Sequence, residues 1–312
     1  MTKKIIIRMS NEIGNQLFMY ASAYGIAKKL NRTLLIDDET AYTSKKNISR
    51  YALSNFKISS KITFNKYKFL GLFGYIKRKL LKKINIFLKK KKFFIEIKNK
   101  KKITKFNNEI FEQDFSNFFY LEGYFETEKY FKEYENEIRN EFKFIDEHKF
   151  QKSSYYNKIV NQNSTSICIR QNRFSEGLHK DGNENKSNQF SHEQIKYINK
   201  SILHIKEKVK NPVFYMWSND FSNLEDNLFN EKINRVIHDD IFISNIDKRS
   251  LDLYLISKAK NHIVIPSSFN WWGAWLSKKE NKIITRPSDS FFSEFKLNNR
   301  DFWPKDWIVI NE

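Results

Sequence analysis

Residues 262–277, HIVIPSSFNWWGAWLS, are the stretch from which the fold of this chain is read. His262 to Ile265 form an apolar run of strand length. Pro266 ends it, because proline has no N–H to give to a ladder. Ser267 and Ser268 then offer hydroxyls as helix N-caps, and the run Phe269-Asn270-Trp271-Trp272-Gly273-Ala274-Trp275-Leu276 follows. Strand, hydroxyl-bearing turn and helix start are how α/β proteins build anion sites. Unused backbone N–H groups and the positive end of the helix dipole both point at the ligand. The plain alternative is a buried strand–helix corner packed with tryptophan.

The same alternation extends outward from this stretch. Upstream, residues 250–260 read as a helix carrying Leu251, Leu253, Tyr254, Leu255 and Ile256, and 236–237 as a short strand. Residues 213–217 read as a strand ending at Ser218-Asn219-Asp220. Residues 191–208 read as a helix with Ile195, Ile198, Ile202 and Ile205 on one face, and 166–170 as a strand. Downstream, 282–284 is a last strand, while the polar stretch 151–165 reads as a linker. Near the N-terminus, Ile5-Ile6-Ile7, a helical pattern over 17–30 and Leu34-Leu35-Ile36 make a βαβ unit, hence a parallel sheet. Residues 119–125 read as a strand end with a loop, and 129–144 as a charged helix. The expectation is an α/β protein of two Rossmann-like domains, 1–155 and 156–312, facing a cleft. Ligands of open α/β sheets bind outside the carboxyl ends of the strands.

Composition narrows the class. The chain has 312 residues, 40% of them apolar, which suits one large core or two medium ones. Its one cysteine, Cys168, excludes a disulfide framework and fits a reducing compartment. The start, MTKKIIIRMSNEIG, has an apolar run of only three residues and is not read as a signal peptide. No window reaches the roughly 18 apolar residues of a spanning helix. A cytoplasmic protein is expected. The net charge of +20 attracts anions, nucleotides and acidic membranes. Nucleic acid is not an expected partner, because no helix-turn-helix, zinc finger or RNA-binding signature accompanies the charge.

Much of that charge lies in one place. Between Lys66 and Lys105 sixteen residues are Lys or Arg, and only Glu96 is acidic. Ile76, Leu80, Ile84, Phe87 and Leu88 recur among them at helical spacing. A basic amphipathic helix near 76–92 reads as a contact with anionic membrane, on the inner face of the cytoplasmic membrane. Its plain alternative is a surface helix packed on its own domain.

SSFNWWGAWL resembles the C-terminal signature of the bacterial α-1,2-fucosyltransferases, glycosyltransferase family 11, written S-[ST]-F-S-W-W-G-A-W-L; only Asn270 departs. Four further blocks resemble the family in order. Residues 13–21, IGNQLFMYA, match its G-x-G-N-Q-x-F-Q-Y-A opening, with Glu12 replacing the first glycine. Ile167-Cys168-Ile169-Arg170 resembles H-x-R-R-G-D-Y: Arg170 matches the first arginine, Cys168 stands where His is usual, and Gln171, Asn172, Arg173 and Phe174 replace the rest. Residues 214–220, FYMWSND, resemble F-x-x-F-S-D-D, and 252–257, DLYLIS, resemble D-L-x-L-M-S. The basic insertion 66–105 lies outside the resemblance.

The resemblance implies the GT-B type of glycosyltransferase fold. It implies inverting transfer of L-fucose from GDP-fucose to the 2-hydroxyl of a galactose-containing glycan acceptor. A different linkage or acceptor, and an inactive sugar- or membrane-binding homologue, are the alternatives. It implies a donor site of Gly14, Asn15, Gln16, Arg170, Arg173, Asp220, Asp252, Ser267, Ser268 and Phe269. Asn15 would face fucose and phosphate, Asp220 and Asp252 the nucleotide. Arg170, a guanidinium at a strand end, can bind the leaving diphosphate bidentately and stabilise the charge that grows on it. The family's carboxylate position is occupied here by Arg173, so Glu176, the nearest carboxylate downstream, is nominated as general base and Asp181 as reserve. No cofactor or metal is expected. The six histidines lack ligand spacing, and Asp37-Asp38 and Asp239-Asp240 are adjacent pairs, not D-x-D.

Overall fold

A computed structural model describes residues 3–43, 50–96, 105–175, 183–244, 246–295 and 301–311, with the backbone alone of 240 and 241. The chain divides into two compact units. The first runs up to Ile145 and takes in Asp301 and Phe302; the second takes the rest.

The first unit contains β1 (Lys4–Arg8), α1 (Ile13–Lys29), β2 (Thr33–Asp37), β3 (Lys61–Ile62), α2 (Gly71–Ile84), β4 (Lys91–Ile95), α3 (Glu109–Glu112), β5 (Phe115–Glu122) and α4 (Glu135–Glu141). Its parallel sheet has the order β3-β2-β1-β5-β4. Strand β1 lies in the middle with Ile5, Ile6 and Ile7 fully buried, as a sheet covered on both faces requires. Helix α1 is buried along most of its length and starts at Ile13, not at 17. Gly14, Asn15 and Gln16 therefore stand in its first turn. At Gly25 a Cβ would lie 2.1 Å from the Tyr130 carbonyl oxygen, so only glycine admits that approach.

The basic amphipathic helix forms but ends at Ile84. Asn85 stops it: its Oδ1 accepts from the N–H groups of Lys92 and Phe93, and its Nδ2 donates to the Phe93 carbonyl. Phe87 and Leu88 consequently leave the helical pattern, and Lys91 and Lys92 enter β4. The charged stretch 129–144 is only partly α-helical; two 3₁₀ turns precede α4.

The second unit contains α5 (Glu147–Phe150), α6 (Ser154–Asn161), β6 (Ser164–Ile169), α7 (Glu184–Lys208), β7 (Val213–Ser218), β8 (Ile233–Arg235), α8 (Asp240–Ile243), α9 (Lys248–Lys258), β9 (Asn261–Ile263), α10 (Ser268–Leu276), β10 (Ile284–Pro287) and β11 (Ile308–Ile310). Its parallel sheet has the order β11-β10-β9-β6-β7-β8. Counted from its own first strand, this is the doubly wound order 3-2-1-4-5-6, whose switch point lies between β6 and β9.

Three expectations need correcting here. The stretch read as a linker is helix α6 followed by the buried strand β6. Ser153 caps α6, its hydroxyl accepting from the Tyr155 N–H. The stretch looked polar because α6 buries only Ile159, and because the buried Ser164 hydroxyl finds a partner, donating to the Ile159 carbonyl. Helix α7 begins at Glu184, because the Asn183 side chain accepts from the Lys186 N–H and Ser187 and Phe190 turn inward. Strand β8 lies at 233–235, ahead of the expected 236–237, and β11 was not foreseen.

The tryptophans of α10 are core. Trp271 and Trp272 are fully buried, and Trp271 also meets Trp275 and Trp307 at centroid distances of 6.0 and 5.5 Å. A Cβ on Gly273 would lie 2.3 Å from Ile256 Cγ2, so this glycine sets how closely α10 packs on α9.

Candidate active site

At the switch point of the second sheet, pairing fixes what can meet. Ile167 of β6 lies opposite Ile263 of β9, so Arg170 and Pro266 each stand three residues beyond a paired position. Strand β6 also pairs with β7, with Ile169 opposite Ser218, which brings the 170–172 turn beside 219–220. Three loops thus gather at the carboxyl ends of β6, β7 and β9.

The 170–172 turn is clamped by amides. The Arg170 N–H donates to Gln194 Oε1 at 3.0 Å, and Gln194 Nε2 donates back to the Arg170 carbonyl at 2.9 Å. Gln194 is fully buried on α7. In the same way the Gln171 N–H donates to Asn219 Oδ1 at 2.9 Å, and Asn219 Nδ2 returns a bond to the Gln171 carbonyl at 3.1 Å. Asn172 takes a positive φ of 55°, which asparagine tolerates better than most residues. The backbone is fixed on both sides while Arg170 itself is exposed.

Arg173 reaches across the switch point. Its Nη1 donates to the Pro266 carbonyl at 3.0 Å, and its guanidinium lies over the Phe190 ring at 5.1 Å. It thereby holds a positive charge at the turn entering α10, whose first-turn N–H groups form the positive end of that helix. Ser267 occupies the N-cap position but makes no side-chain cap, contrary to expectation. Asn270 organises the turn: its Oδ1 accepts from the Ile265 N–H at 2.8 Å. The one departure from the family signature is therefore a structural tie. Ser267, Ser268 and Phe269 remain partly exposed along this turn.

The two nominated aspartates have structural partners. Asp220 Oδ1 accepts from the Ser222 N–H, a bond that holds its carboxyl below the ordinary value. Asp252 Oδ1 lies 2.7 Å from Nε2 of the buried His238. Cys168, which replaces the family histidine, is buried, and burial pushes its thiol pKa up. His262 is also buried. Burial and Lys282 bring its imidazole down to about 3, so it is a neutral core group beside Ser166. Glu176 and Asp181 lie outside the described residues.

The first unit carries its own carboxyl-edge site. Asn15 Nδ2 donates to Glu126 Oε1 at 2.8 Å, linking the start of α1 to the loop after β5. Gln16 is fully buried and spends its amide on the chain: Nε2 donates to the carbonyls of Asn11 and Arg50, and Oε1 accepts from the Ala52 N–H. That bonding makes Gln16 a fastener of the 50–52 segment. Gly14 is buried in the same turn. At the end of β5, Glu122 is 4% exposed and binds Arg78 through both oxygens at 2.6 and 2.5 Å, Lys82 at 2.8 Å and Arg8 at 3.5 Å. Burial alone would raise its carboxyl, but Arg78, Arg8 and Lys82 outweigh burial and hold it below the usual range.

Sequence reasoning missed Gln194, Asn219, Glu126 and Glu122. Only Gln194 left a signal, as a polar residue on the stripe Ser187, Phe190, Gln194, Tyr197, Ser201 that α7 buries. The others are defined by partners distant in the chain. Among the described residues no three His, Cys, Asp or Glu side chains are grouped to hold a metal ion, and no helix is long and apolar enough to cross a membrane.

Solved structures share this architecture. Fucosyltransferase NodZ from Bradyrhizobium superposes with a TM-score of 0.52 at 16% identity, covering 88% of this chain and 93% of that one. NodZ α-1,6-fucosyltransferase soaked with GDP-fucose superposes at 0.55 and 16% identity, covering 91% and 95%. The likeness establishes the fold, an α/β glycosyltransferase fold of the GT-B type. Two curated Escherichia coli proteins align end to end. An alpha-1,2-colitosyltransferase is 27% identical over 308 residues, covering 99% of each chain. The O-antigen biosynthesis glycosyltransferase WbnK is 25% identical over 309 residues, covering 95% of this chain and 98% of its own length. The family model described as Glycosyl transferase family 11 matches residues 4–311, and with the signature turn seated at the switch point of the second sheet the chain belongs to that family.

Proposed function

We propose that this glycosyltransferase moves L-fucose from GDP-fucose to the 2-hydroxyl of a galactose-containing glycan, with inversion at the anomeric carbon. The observation that carries the proposal is the switch point, where the clamped Arg170 turn and Arg173 converge on the turn entering α10. That is a seat for a diphosphate. As the acceptor oxygen bonds to the anomeric carbon, the bond from that carbon to the diphosphate oxygen breaks and its electron pair stays on GDP. The growing negative charge is met by guanidinium and backbone N–H groups already in place, which stabilise the transition state more than the ground state. Asp220 and Asp252 would serve the nucleotide from the same edge, Asp252 through the orientation His238 imposes.

The acceptor hydroxyl must lose its proton as it attacks. Glu176 remains one proposed base. Glu126 is a second, favoured by its hydrogen bond to Asn15, the residue expected to face the sugar. Transfer by Glu176→Gln and by Glu126→Gln separates them: the base variant keeps GDP-fucose binding and loses about 10²–10⁴ in transfer. If both transfer normally, neither is the base.

The similarity to a colitosyltransferase supports a second donor reading. Colitose is fucose without one ring hydroxyl. A pocket that hydrogen-bonds that hydroxyl rejects the colitosyl donor by up to ~10⁴-fold, whereas a pocket that ignores it accepts both. A turnover screen with GDP-fucose, GDP-colitose and UDP-sugars decides. Turnover confined to UDP-sugars would sink the proposal. We further read the enzyme as cytoplasmic and peripheral on an anionic membrane, on the strength of its basic helix.

A further inference from the structure

Helix α2 is mounted with its apolar side outward. Phe73, Ile76, Leu80 and Ile84 recur at helical spacing, and α2 has no buried residue. Phe73 is 88% exposed, and Phe87, just past the helix end, 87%. Phe64, Leu72 and Ile86, close by in the chain, are also largely exposed. A surface helix ordinarily turns such a stripe toward its core. Here the opposite side is tied down instead: Arg78 and Lys82 bind Glu122, and Asn85 fastens the C-terminal end to β4. The exposure is therefore built into the attachment, and an apolar stripe left outward along one helix face marks a contact surface.

The rim of the patch is cationic. By helical spacing Lys77 flanks the stripe on one side and Lys79 and Lys83 on the other. None of these three has an acidic partner among the described residues. Beside them a cavity of about 430 Å³ is lined by Tyr75, Arg78, Lys79, Lys82, Lys83 and Ile86. Arg78 and Lys82 are committed to Glu122, so Lys79 and Lys83, which have no acidic partner among the described residues, are the cations the cavity offers to a phosphate ester. We infer that α2 lies in the surface of an anionic bilayer, its stripe among the acyl chains and its lysines and cavity on lipid phosphates. This rests on the reading of the chain as an enzyme held at a membrane. It adds which face enters the bilayer and where a headgroup sits.

The test is co-sedimentation of the full chain with vesicles of phosphatidylcholine, with and without phosphatidylglycerol. Binding is expected only with the anionic lipid, and it weakens as salt rises. Each lysine at such a surface is worth roughly fivefold in partition, so K77Q/K79Q/K83Q falls about a hundredfold. F73S/L80S loses binding with an unchanged melting temperature. Failure to bind anionic vesicles, or binding that neither set alters, overturns the inference. So does a dimer that F73S/L80S converts to monomer, which gives the face to a second copy. Inorganic phosphate raising the melting temperature of a chain that ignores vesicles overturns it too, and assigns the cavity to free phosphate. GDP-fucose hydrolysis measured on the same samples keeps the two readings apart: hydrolysis without vesicle binding rejects only the membrane site, and vesicle binding without hydrolysis rejects only the donor assignment.

Discussion

The carboxyl edges of the two sheets are built on one plan and held by different chemistry. In the second unit the key turn is fastened through its main chain by neutral amides, Gln194 on Arg170 and Asn219 on Gln171. In the first unit the fastening is ionic and runs through side chains, with Arg8, Arg78 and Lys82 gathered on the buried Glu122. An amide clamp spends no charge, so the backbone of Arg170 is fixed by neutral groups alone. An ion cluster uses its cations as fasteners. The second edge is thus suited to meeting an anion, and the first to holding a helix in place.

The sharpest way to break that comparison is Arg170→Ala. Loss of a transition-state charge donor should lower kcat by at least about a hundredfold. A variant within a few-fold of wild type would remove Arg170 from the diphosphate seat. The counterpart in the first unit is Glu122→Gln, which leaves three half-buried cations without their buried carboxylate and should cost about 3 kcal/mol of stability by denaturant unfolding, with GDP binding by the folded fraction retained. Its pH signature has a defined sign. The folded carboxyl titrates below its unfolded value of about 4.3, so its stabilisation is complete above that pH and is lost as pH falls through the lower folded value. Wild-type stability should therefore drop on acidification in that window, and Glu122→Gln should be flatter there. Equal acid limbs would refute the ionic fastening.

A smaller effect is expected from Gln194→Leu. The Arg170 side chain stays, but its backbone loses a donor and an acceptor. A fall of roughly tenfold in kcat is expected, about 1.4 kcal/mol, with little change in KM for donor. An unchanged kcat would show that the amide clamp is unnecessary. The smallest expected effect is that of chelation: EDTA should leave turnover unaltered if arginine supplies the positive charge. Activity lost in EDTA and restored by magnesium or manganese would overturn that division of labour.

Much of this was legible in the chain. Ile5-Ile6-Ile7, Leu34-Leu35-Ile36 and residues 213–217 are apolar runs of strand length, and each is a strand because a two-sided parallel sheet buries most of such a run. Arg170 and the 266–269 turn were legible as strand ends. Boundaries failed where a side chain intervened: Asn85 cut α2 short, Asn183 extended α7, and Ser153 began a helix inside an apparent linker.

Local pattern by itself determined the alternation of strands and helices, the basic amphipathic character of α2 and the signature turn, because each depends on neighbours within a few residues. Tertiary structure alone decided the rest. It paired β6 with both β7 and β9, which brought Asn219 and Pro266 onto residues 170–173, it laid Gln194 of α7 on Arg170, and it joined Asn15 to Glu126 across 111 positions. It also turned the apolar faces of two helices opposite ways, that of α10 into a tryptophan core and that of α2 out to solvent. Hydrophobicity is a property of the segment, but the direction it faces depends on which side another element holds. For α2 that holder is Glu122, 40 residues and more away in the chain.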